Sequence, residues 1–178
     1  MSKGKKILLG VTGSIAAYKS ADLIRRLREL GHKVSVTMTQ EAEQFITPLT
    51  LACLSGEKIN RNLFEDDQSW SMSHIALSQD ADILLIAPAT ANIIGKIACG
   101  IADDVLTCTA LATQAKIVIV PAMNEGMFKN QIVQANIQKL KDIGVLFVNP
   151  IVGKLACNIV GEGHIAEIED IVKAVNSI

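Results

Sequence analysis

Apolar runs of strand length alternate with segments of helical period along this chain, and this alternation restricts the fold more than any other feature. Such alternation is typical of βαβ units, in which helices cover a mostly parallel sheet. The middle runs are almost continuously apolar, as expected for strands that are buried on both faces. The predicted strands are Lys6–Val11, Lys33–Thr37, Ile83–Ala87, Lys116–Val120 and Val145–Val148.

Helices are predicted between and after these strands. The segment Ile15–Leu30 carries apolar residues at helical spacing. Further helices are predicted to begin at Thr47-Pro48, to span Asn130–Ile143 and to close the chain at Glu169–Ser177. The prediction is therefore one doubly wound α/β domain over residues 1–178, with three layers and with its ligand beyond the carboxyl ends of the strands.

Two segments, Glu57–Ser73 and Asn149–Gly163, fit no regular element, and loops of this length are usually functional or disordered. The opening lysines and apolar residues superficially resemble a signal peptide. Glycines interrupt that apolar stretch, however, so it is interpreted as a first strand and its turn. No apolar run is long enough to span a bilayer.

Charge and cysteine usage narrow the expected partners. The formal net charge is −1 and no basic stripe is interleaved with aromatic residues, so neither nucleic acid nor a membrane is expected as a partner. The cysteines form no CxxC pair, which argues against a metal site or a disulfide framework and for a cytoplasmic location. Cys53, Cys99 and Cys108 lie in apolar helical patterns and are expected to be inert core thiols, whereas Cys157 lies in a glycine-bearing loop and is a candidate for proton transfer.

The turn after the first strand contains Gly10 and Gly13 and leads directly into a helix. Glycines permit a tight turn, and a helix N-terminus offers free N–H groups to a phosphate. The second strand ends without the acidic residue that binds the ribose of a dinucleotide, which favours a mononucleotide. A plain strand-to-helix turn would contain similar residues, and this motif alone leaves both interpretations open.

The third and fourth strands end in similar turns, Pro88–Asn92 and Pro121–Met127. Small residues there let a flat ring approach the backbone, while Thr90, Asn92 and Asn124 supply hydrogen-bonding groups. Both turns lie where a doubly wound sheet binds its ligand.

Two histidines lie in unlike surroundings. His74 follows an irregular segment and is flanked by hydroxyl-bearing residues, so a catalytic base and a helix-capping residue both remain open. His32 lies in a helix-to-strand turn and is expected to be solvated.

Together these segments resemble the flavoproteins that decarboxylate cysteine residues, a family that includes phosphopantothenoylcysteine decarboxylases and lantibiotic peptidyl-cysteine decarboxylases. The resemblance runs from Lys5 to about Glu167 and is specific because four motifs recur in order, at residues 13–15, 73–75, 88–92 and 121–127. It implies a flavodoxin-like or Rossmann-like fold, FMN as cofactor, a small-molecule substrate, and a homotrimer or an assembly of trimers.

The resemblance also implies roles for individual residues. His74 would be the catalytic base and Cys157 a proton donor, while Asn124, Lys154 and Ala156 would bind the substrate. FMN would be held by residues of four turns, namely Gly13, Ser14, Ile15, Thr39, Thr90, Ala91, Asn92, Ile93 and Ala122.

The chemistry explains why a flavin is needed. A cysteinyl carboxylate loses carbon dioxide with difficulty because the resulting carbanion has no electron sink. Oxidation of the thiol to a thioaldehyde creates one, and flavin is suited to that oxidation. Cys157 favours 4′-phosphopantothenoylcysteine as substrate, because the peptide-modifying branch of the family lacks this cysteine.

Departures from the family pattern keep alternatives open. Asn158 follows Cys157 where the family usually has glycine, and His164-Ile165 replaces the end of its Gly-x-Gly-(Arg/Ala)-Met segment. A peptidyl-cysteine decarboxylase and a non-catalytic, flavin-binding regulatory protein are the alternatives. Many bacterial members are fused to a synthetase domain and this chain ends before one, so a phosphopantothenoylcysteine synthetase domain or protein is expected as a partner.

Overall fold

Five parallel strands form the central sheet of the protein, whose computed structural model describes residues 4–63, 73–154 and 160–178. Their spatial order is β2-β1-β3-β4-β5, which is the order of a doubly wound, flavodoxin-like sheet. The predicted fold class is therefore confirmed. The strands are β1 (Lys6–Val11), β2 (Lys33–Met38), β3 (Ile83–Ala89), β4 (Lys116–Pro121) and β5 (Leu146–Phe147).

Helices cover both faces of the sheet. Successive side chains of a strand point to opposite faces, so Ile7 and Leu9 of β1 join one hydrophobic cluster and Leu8 joins the other. The first cluster contains residues of α1, α2 and α8, and the second contains residues of α4, α5 and α7. The helices are α1 (Lys19–Glu29), α2 (Pro48–Ser55), α3 (Ser73–Asp80), α4 (Ala91–Cys99), α5 (Val105–Ala112), α6 (Glu125–Phe128), α7 (Gln131–Asp142) and α8 (Ile168–Asn176).

Polar side chains at helix N-termini set several boundaries. Thr47 precedes Pro48 and accepts from the N–H of Thr50, while Asn130 accepts from the N–H of Ile132. Each such cap contributes about 1 kcal/mol to helix stability. The predicted start at Thr47-Pro48 and the predicted span Asn130–Ile143 therefore differ from the observed helices only by their capping residues.

Two predictions of secondary structure are wrong. Ile15–Leu30 is not one helix: a 3-10 turn over Ile15–Tyr18 precedes α1, and its Ala16 and Ala17 are buried. The segment Asn149–Gly163 contains an antiparallel pair, β6 (Ile151–Lys154) and β7 (Val160–His164). Its glycines hide the alternation of apolar and polar residues that normally identifies a strand.

His32 is not solvated, contrary to the prediction. It is buried, its Nδ1 accepts from the N–H of Lys5 at 3.1 Å, and its Nε2 lies 3.0 Å from Oδ1 of Asn176. His32 therefore connects the residues before β1, at the amino ends of the strands, to the last residue of α8.

Two of the three described cysteines are exposed rather than in the core. In α2 the buried positions are Leu51 and Ser55, so Cys53 lies on the opposite side of the helix. Cys99 is the exposed last residue of α4. Burial, followed by the carboxylates of Asp104 and Asp103, raises the pKa of the Cys108 thiol, which favours its protonated form.

Within the part of the chain that the structure describes, every helix is too short or too polar to cross a membrane.

Candidate active site

The candidate site lies at the carboxyl edge of the sheet, where the turns after β1, β2, β3 and β4 meet. The strand order places β1 between β2 and β3, so the connections from β1 and β3 diverge to opposite faces here. A crevice forms at such a switch point in doubly wound sheets.

Thr12 ties the first and third turns together. Its buried Oγ1 donates to the carbonyl of Pro88 at 2.7 Å and accepts from the N–H of Thr90 at 3.1 Å. The Ala87–Pro88 peptide bond within the third turn is cis. A buried hydrogen-bonding group that loses its partner costs about 1–3 kcal/mol of stability. The Thr12 hydroxyl therefore stabilises the first turn against the third turn.

Gly13 allows the turn after β2 to approach the first turn. A Cβ atom at this position would lie 2.4 Å from Cβ of Glu41, closer than real Cβ contacts. The next residue, Ser14, donates from Oγ to the carbonyl of Ala122 at 3.2 Å. These contacts join the first turn to the turns after β2 and β4.

Thr39 provides an unusual hydroxyl at the end of β2. The residue is 7% exposed, and its Oγ1 is buried with no hydrogen-bond partner among the described residues. Buried polar atoms are rarely left unsatisfied, so this atom indicates a place where a bound group completes the structure.

Thr90 caps α4, and its Oγ1 accepts from the N–H of Ile93 at 3.3 Å. The N-terminus of α4 therefore faces the crevice, with the dipole orientation that favours an anion. A cleft of about 100 Å³ lies here, and it is lined by Thr12, Gly13, Thr39, Glu41, Thr90, Asn92, Ile93 and Asp104.

The acidic lining residue Asp104 is already engaged. Its Oδ1 accepts from the N–H of Thr107 at 2.8 Å, and its Oδ2 lies 3.3 Å from Nζ of Lys96. Asp103, and then Asp104, hold the pKa of Lys96 above its ordinary value. This pairing reduces the repulsion that an anionic ligand would meet from Asp104.

The fourth turn carries Ala122 and Asn124. Ala122 is buried and donates its N–H to the carbonyl of Ala89 at 2.9 Å, which fixes the turn against β3. Asn124 is exposed and caps α6, and its Oδ1 accepts from the N–H of Gly126 at 2.8 Å. A side-chain amide also carries an N–H donor pair suited to a carboxylate.

The strand β7 lies against this fourth turn. The N–H of Met123 donates to the carbonyl of Gly163 at 3.1 Å, and the N–H of Glu162 donates to Oε1 of Glu125 at 3.3 Å. Gly163 has a φ of 144°, and a Cβ there would lie 2.2 Å from the carbonyl oxygen of Met123. Glycine is therefore required for this close approach.

Glu125 is held as a carboxylate. The Lys129 ammonium at 2.6 Å, and then the N–H of Glu162, hold the pKa of Glu125 below its ordinary value. The charged side chain thus serves as an acceptor that connects α6 to β7.

On the other side of β7, His164 contacts the start of α1. Its Nε2 lies 3.1 Å from Nζ of Lys19. An ammonium has no lone pair, so Lys19 is the donor and the imidazole nitrogen is the acceptor.

The structure brings most of the predicted site residues to one edge. Gly13, Ser14, Ile15, Thr39 and Ala122 lie in the turns after β1, β2 and β4, and Ile15 is exposed. Thr90, Ala91, Asn92 and Ile93 form the start of α4.

Four predicted site residues are placed only in part or not at all. His74 is the second residue of α3, but its side chain lies outside the described part of the structure, as does that of Lys154 at the end of β6. Ala156 and Cys157 lie outside the described residues. Their predicted roles stay predictions.

Sequence reasoning missed Thr12, Glu41 and Lys19 as members of this edge. Thr12 could have been found, because it is the polar residue between the first strand and Gly13. The positions of Glu41 and Lys19 depend on contacts between segments far apart in the chain, and no local motif marks them. As a whole, the arrangement suits a flat ligand that carries a phosphate.

Comparison with known proteins places these residues in a wider context. A family model described as Flavoprotein matches residues 1–178. The coenzyme A biosynthesis bifunctional protein CoaBC of Vibrio vulnificus is 47% identical over 164 residues, which cover 92% of this chain and 41% of that protein. The chain therefore spans about two fifths of the length of the bifunctional relatives. The probable phosphopantothenoylcysteine decarboxylase of Streptococcus mutans is 44% identical over 96% of this chain and 97% of its own length.

Solved structures are similar over nearly the whole chain. A PPC decarboxylase mutant complexed with pantothenoylaminoethenethiol has a TM-score of 0.88 and 31% identity, and the match covers 98% of both chains. The FMN-dependent cysteine decarboxylase SpaF has a TM-score of 0.80 and 31% identity, over 96% of this chain and 97% of its own.

Proposed function

The chain belongs to the Flavoprotein family, and from this premise we propose that it is an FMN-dependent decarboxylase that converts 4′-phosphopantothenoylcysteine to 4′-phosphopantetheine in coenzyme A biosynthesis. The observation that carries the proposal is the cradle at the carboxyl edge of the sheet. There Thr12 joins two turns, Gly13 leaves no room for a side chain, and the buried Oγ1 of Thr39 has no partner among the described residues.

The residues of this cradle fit FMN. A phosphate or ribityl oxygen would complete the hydrogen bonding of the Thr39 hydroxyl. Gly13, Ser14, Ile15, Thr39, Thr90, Ala91, Asn92, Ile93 and Ala122 are the residues that would hold it.

The identity of the reaction is supported by relatives of matching length. The Streptococcus mutans protein named as a probable phosphopantothenoylcysteine decarboxylase aligns over 96% of this chain and 97% of its own. The similar PPC decarboxylase structure contains pantothenoylaminoethenethiol, the unphosphorylated form of the enethiol expected after decarboxylation.

When bound, FMN supplies the oxidation of the substrate thiol and the later reduction of the enethiol. In the proposed mechanism His74 accepts a proton from the substrate during oxidation. Asn124 orients the substrate carboxylate through neutral hydrogen bonds, whereas a cation there would stabilise the carboxylate and oppose its loss. Cys157 donates the proton that completes the reduced product, and Lys154 and Ala156 contact the substrate.

The proposal extends to assembly and location. We propose one flavoprotein domain over residues 1–178 that forms homotrimers and works in the cytoplasm, where exposed thiols such as Cys53 and Cys99 remain reduced. It would act with a phosphopantothenoylcysteine synthetase domain or protein, an arrangement supported by the bifunctional relatives.

The test begins with the visible spectrum of the purified protein. We expect flavin bands, or their appearance after FMN is added to the folded apoprotein. Mass spectrometry should then show loss of carbon dioxide from 4′-phosphopantothenoylcysteine. Faster turnover of a cysteine-terminated peptide would instead assign the activity of the peptide-modifying branch, and bound FMN without release of carbon dioxide from either substrate would refute both.

Two variants test the assigned roles. His74→Asn should bind FMN but lose turnover, and near-normal turnover would refute His74 as the base. Cys157→Ser should release the enethiol, which lacks the two hydrogen atoms that the final reduction adds, and normal product would refute the proton-donor role.

A further inference from the structure

Lys19, at the start of α1, and His164, at the end of β7, form a pair of nitrogen-bearing side chains. The Nζ of Lys19 lies 3.1 Å from Nε2 of His164, and neither side chain has a carboxylate partner among the described residues. Lys6, Arg26, Lys96 and Lys129 form ion pairs with carboxylates, whereas Lys5 and Arg28 donate to the backbone carbonyls of Val175 and Leu54. Lys19 and His164 therefore place an ammonium and an imidazole side by side.

The pair lies next to the proposed substrate site. His164 follows Gly163, whose carbonyl accepts from the N–H of Met123, the residue before Asn124. Lys19 lies at the end of the short turn that begins at Ser14, whose Oγ donates to the carbonyl of Ala122. The pair is thus linked, through Gly163 and through Ser14, to the turn that carries Asn124.

We propose that Lys19 and His164 form the subsite for the phosphate monoester of the substrate, an inference that rests on the proposed function. An ammonium beside an imidazole, with no carboxylate partner among the described residues, can donate hydrogen bonds to a phosphate dianion. In this structure Nε2 of His164 lies 3.1 Å from the Lys19 ammonium, which is the donor. A phosphate can accept from the Lys19 ammonium and from an N–H of the His164 ring.

The Lys19–His164 pair would also explain a preference for the phosphorylated substrate over a cysteine-terminated peptide. A cysteine-terminated peptide offers no phosphate at the far end from its cysteine, so a subsite for that group adds affinity only for the phosphorylated substrate. The phosphate of FMN is the other possible source of the anion. The test therefore measures both binding partners.

The experiment titrates the FMN-loaded protein with phosphopantetheine and with pantetheine, and measures heat. Wild-type protein should bind the phosphorylated compound more tightly by a factor on the order of 10 to 100, as for one charged hydrogen bond. Lys19→Gln should abolish this difference, Lys19→Arg should keep most of it, and His164→Leu should reduce it. FMN content should be unchanged in all of these variants.

Arg25→Gln is the matched control, because Arg25 lies on the same helix, makes only a 4.0 Å contact with Asp22, and its loss changes the net charge equally. It should behave like the wild type. Equal affinities of wild-type protein for the two compounds would overturn the subsite, as would a Lys19→Gln variant that keeps the difference. Loss of FMN from Lys19→Gln would assign the pair to the cofactor instead. Failure of the proposed function would be distinguished from failure of the subsite, because the wild-type protein would then release no carbon dioxide from 4′-phosphopantothenoylcysteine.

Discussion

The hydroxyl of Thr39 has opposite consequences for the empty and the FMN-loaded protein. Its Oγ1 is buried without a described partner, and an unsatisfied buried hydroxyl costs about 1–3 kcal/mol. Thr39→Val keeps the shape and removes the polar atom. We expect the free energy of unfolding of the apoprotein to rise by about 1 kcal/mol in urea titrations, while the dissociation constant for FMN rises on the order of tenfold.

Thr37→Val is the matched control for this substitution. Thr37 lies two residues earlier on β2, and its Oγ1 donates to the carbonyl of Asn60 at 2.9 Å. The same change there removes a satisfied hydrogen bond, so it should lower apoprotein stability and leave FMN affinity unchanged. If Thr39→Val also destabilises the apoprotein, the Thr39 hydroxyl of the wild type already has an acceptor when FMN is absent. It would then give no indication of a ligand.

Gly13 is the second residue at which a small change should have a large effect. In Gly13→Ala the new methyl group would lie 2.4 Å from Cβ of Glu41, so the 3-10 turn Gln40–Gln44 must move. Overpacking of this kind costs about 1–3 kcal/mol. We expect lower thermal stability and weaker FMN binding, measured by calorimetry and fluorescence.

Gly95→Ala provides the comparison, since the nearest atom to its new methyl group is Nδ2 of Asn136 at 3.7 Å, an ordinary contact. Gly95 lies inside α4, where alanine is favoured over glycine by up to about 1 kcal/mol. That variant should be more stable than the wild type. A Gly13→Ala protein that is also more stable would show that the two turns do not need their close approach.

Among the elements, β7 of the β6–β7 ribbon contacts the fourth turn, α6 and the start of α1. Glu125 provides one of these by accepting from the N–H of Glu162, and Gly161 packs against the same carboxylate. In Glu125→Ala we expect the amide protons of β7 to exchange on the order of tenfold faster, because a local opening is no longer opposed by this contact. Exchange in β1 and β3 should be unchanged, and Glu169→Ala, which removes a partner of Arg26 on α1, should not affect β7.

The same carboxylate makes β7 sensitive to acid. Lys129 and the N–H of Glu162 lower the pKa of Glu125 in the folded protein, so its contribution is complete above the ordinary glutamate pKa. The contribution is lost as the pH falls through the lowered, folded-state pKa. Protection of β7 should therefore decrease in acid in the wild type, whereas Glu125→Ala should show a smaller change. Equal acid responses would contradict the assignment.

The elements differ in how far the sequence predicts them. β1 was predicted with its observed bounds, because a strand buried on both faces is a continuous apolar run with clear ends. β3 and β4 continue into the polar turns, to Ala89 and Pro121, since the backbone of these turns still pairs with its neighbour. The β6–β7 pair was missed because β7 contains Gly161, which lies against Glu125, and Gly163, which lies against Met123; these contacts, and not strand propensity, require glycine.

The candidate site divides in the same way. Gly13, Thr90 and Ala122 lie one or two residues after the ends of β1, β3 and β4, so the rule for doubly wound sheets predicts that they meet. The buried position of His32 and the pairing of Lys19 with His164 involve residues separated by 144 and 145 positions, respectively. Such contacts arise only when the whole chain has folded, and no local pattern encodes them.

At the scale of the whole molecule, large apolar side chains remain exposed beside the site. Ile15 and Tyr18 follow β1, and Phe45 and Leu49 follow β2. Because β1 and β2 are neighbouring strands, we propose that these four side chains belong to one interaction surface. The proposed trimer would bury them, which also places the site close to a neighbouring subunit.

Leu49→Asp tests this surface. Leu49 is 72% exposed, so aspartate should not disturb the folded subunit, but a charge buried at a subunit contact opposes association strongly. We expect light scattering after size exclusion to show a trimer for the wild type and a monomer for this variant at low micromolar concentration.

Ile143→Asp is the matched control. Ile143 is 74% exposed and precedes β5, which is the edge strand on the other side of the sheet from β2. It should remain trimeric. If the Leu49→Asp protein has the same oligomeric mass as the wild type, Leu49 does not lie in the subunit interface. If the Ile143→Asp protein is monomeric, the interface instead includes the amino ends of the strands, where Ile143 lies.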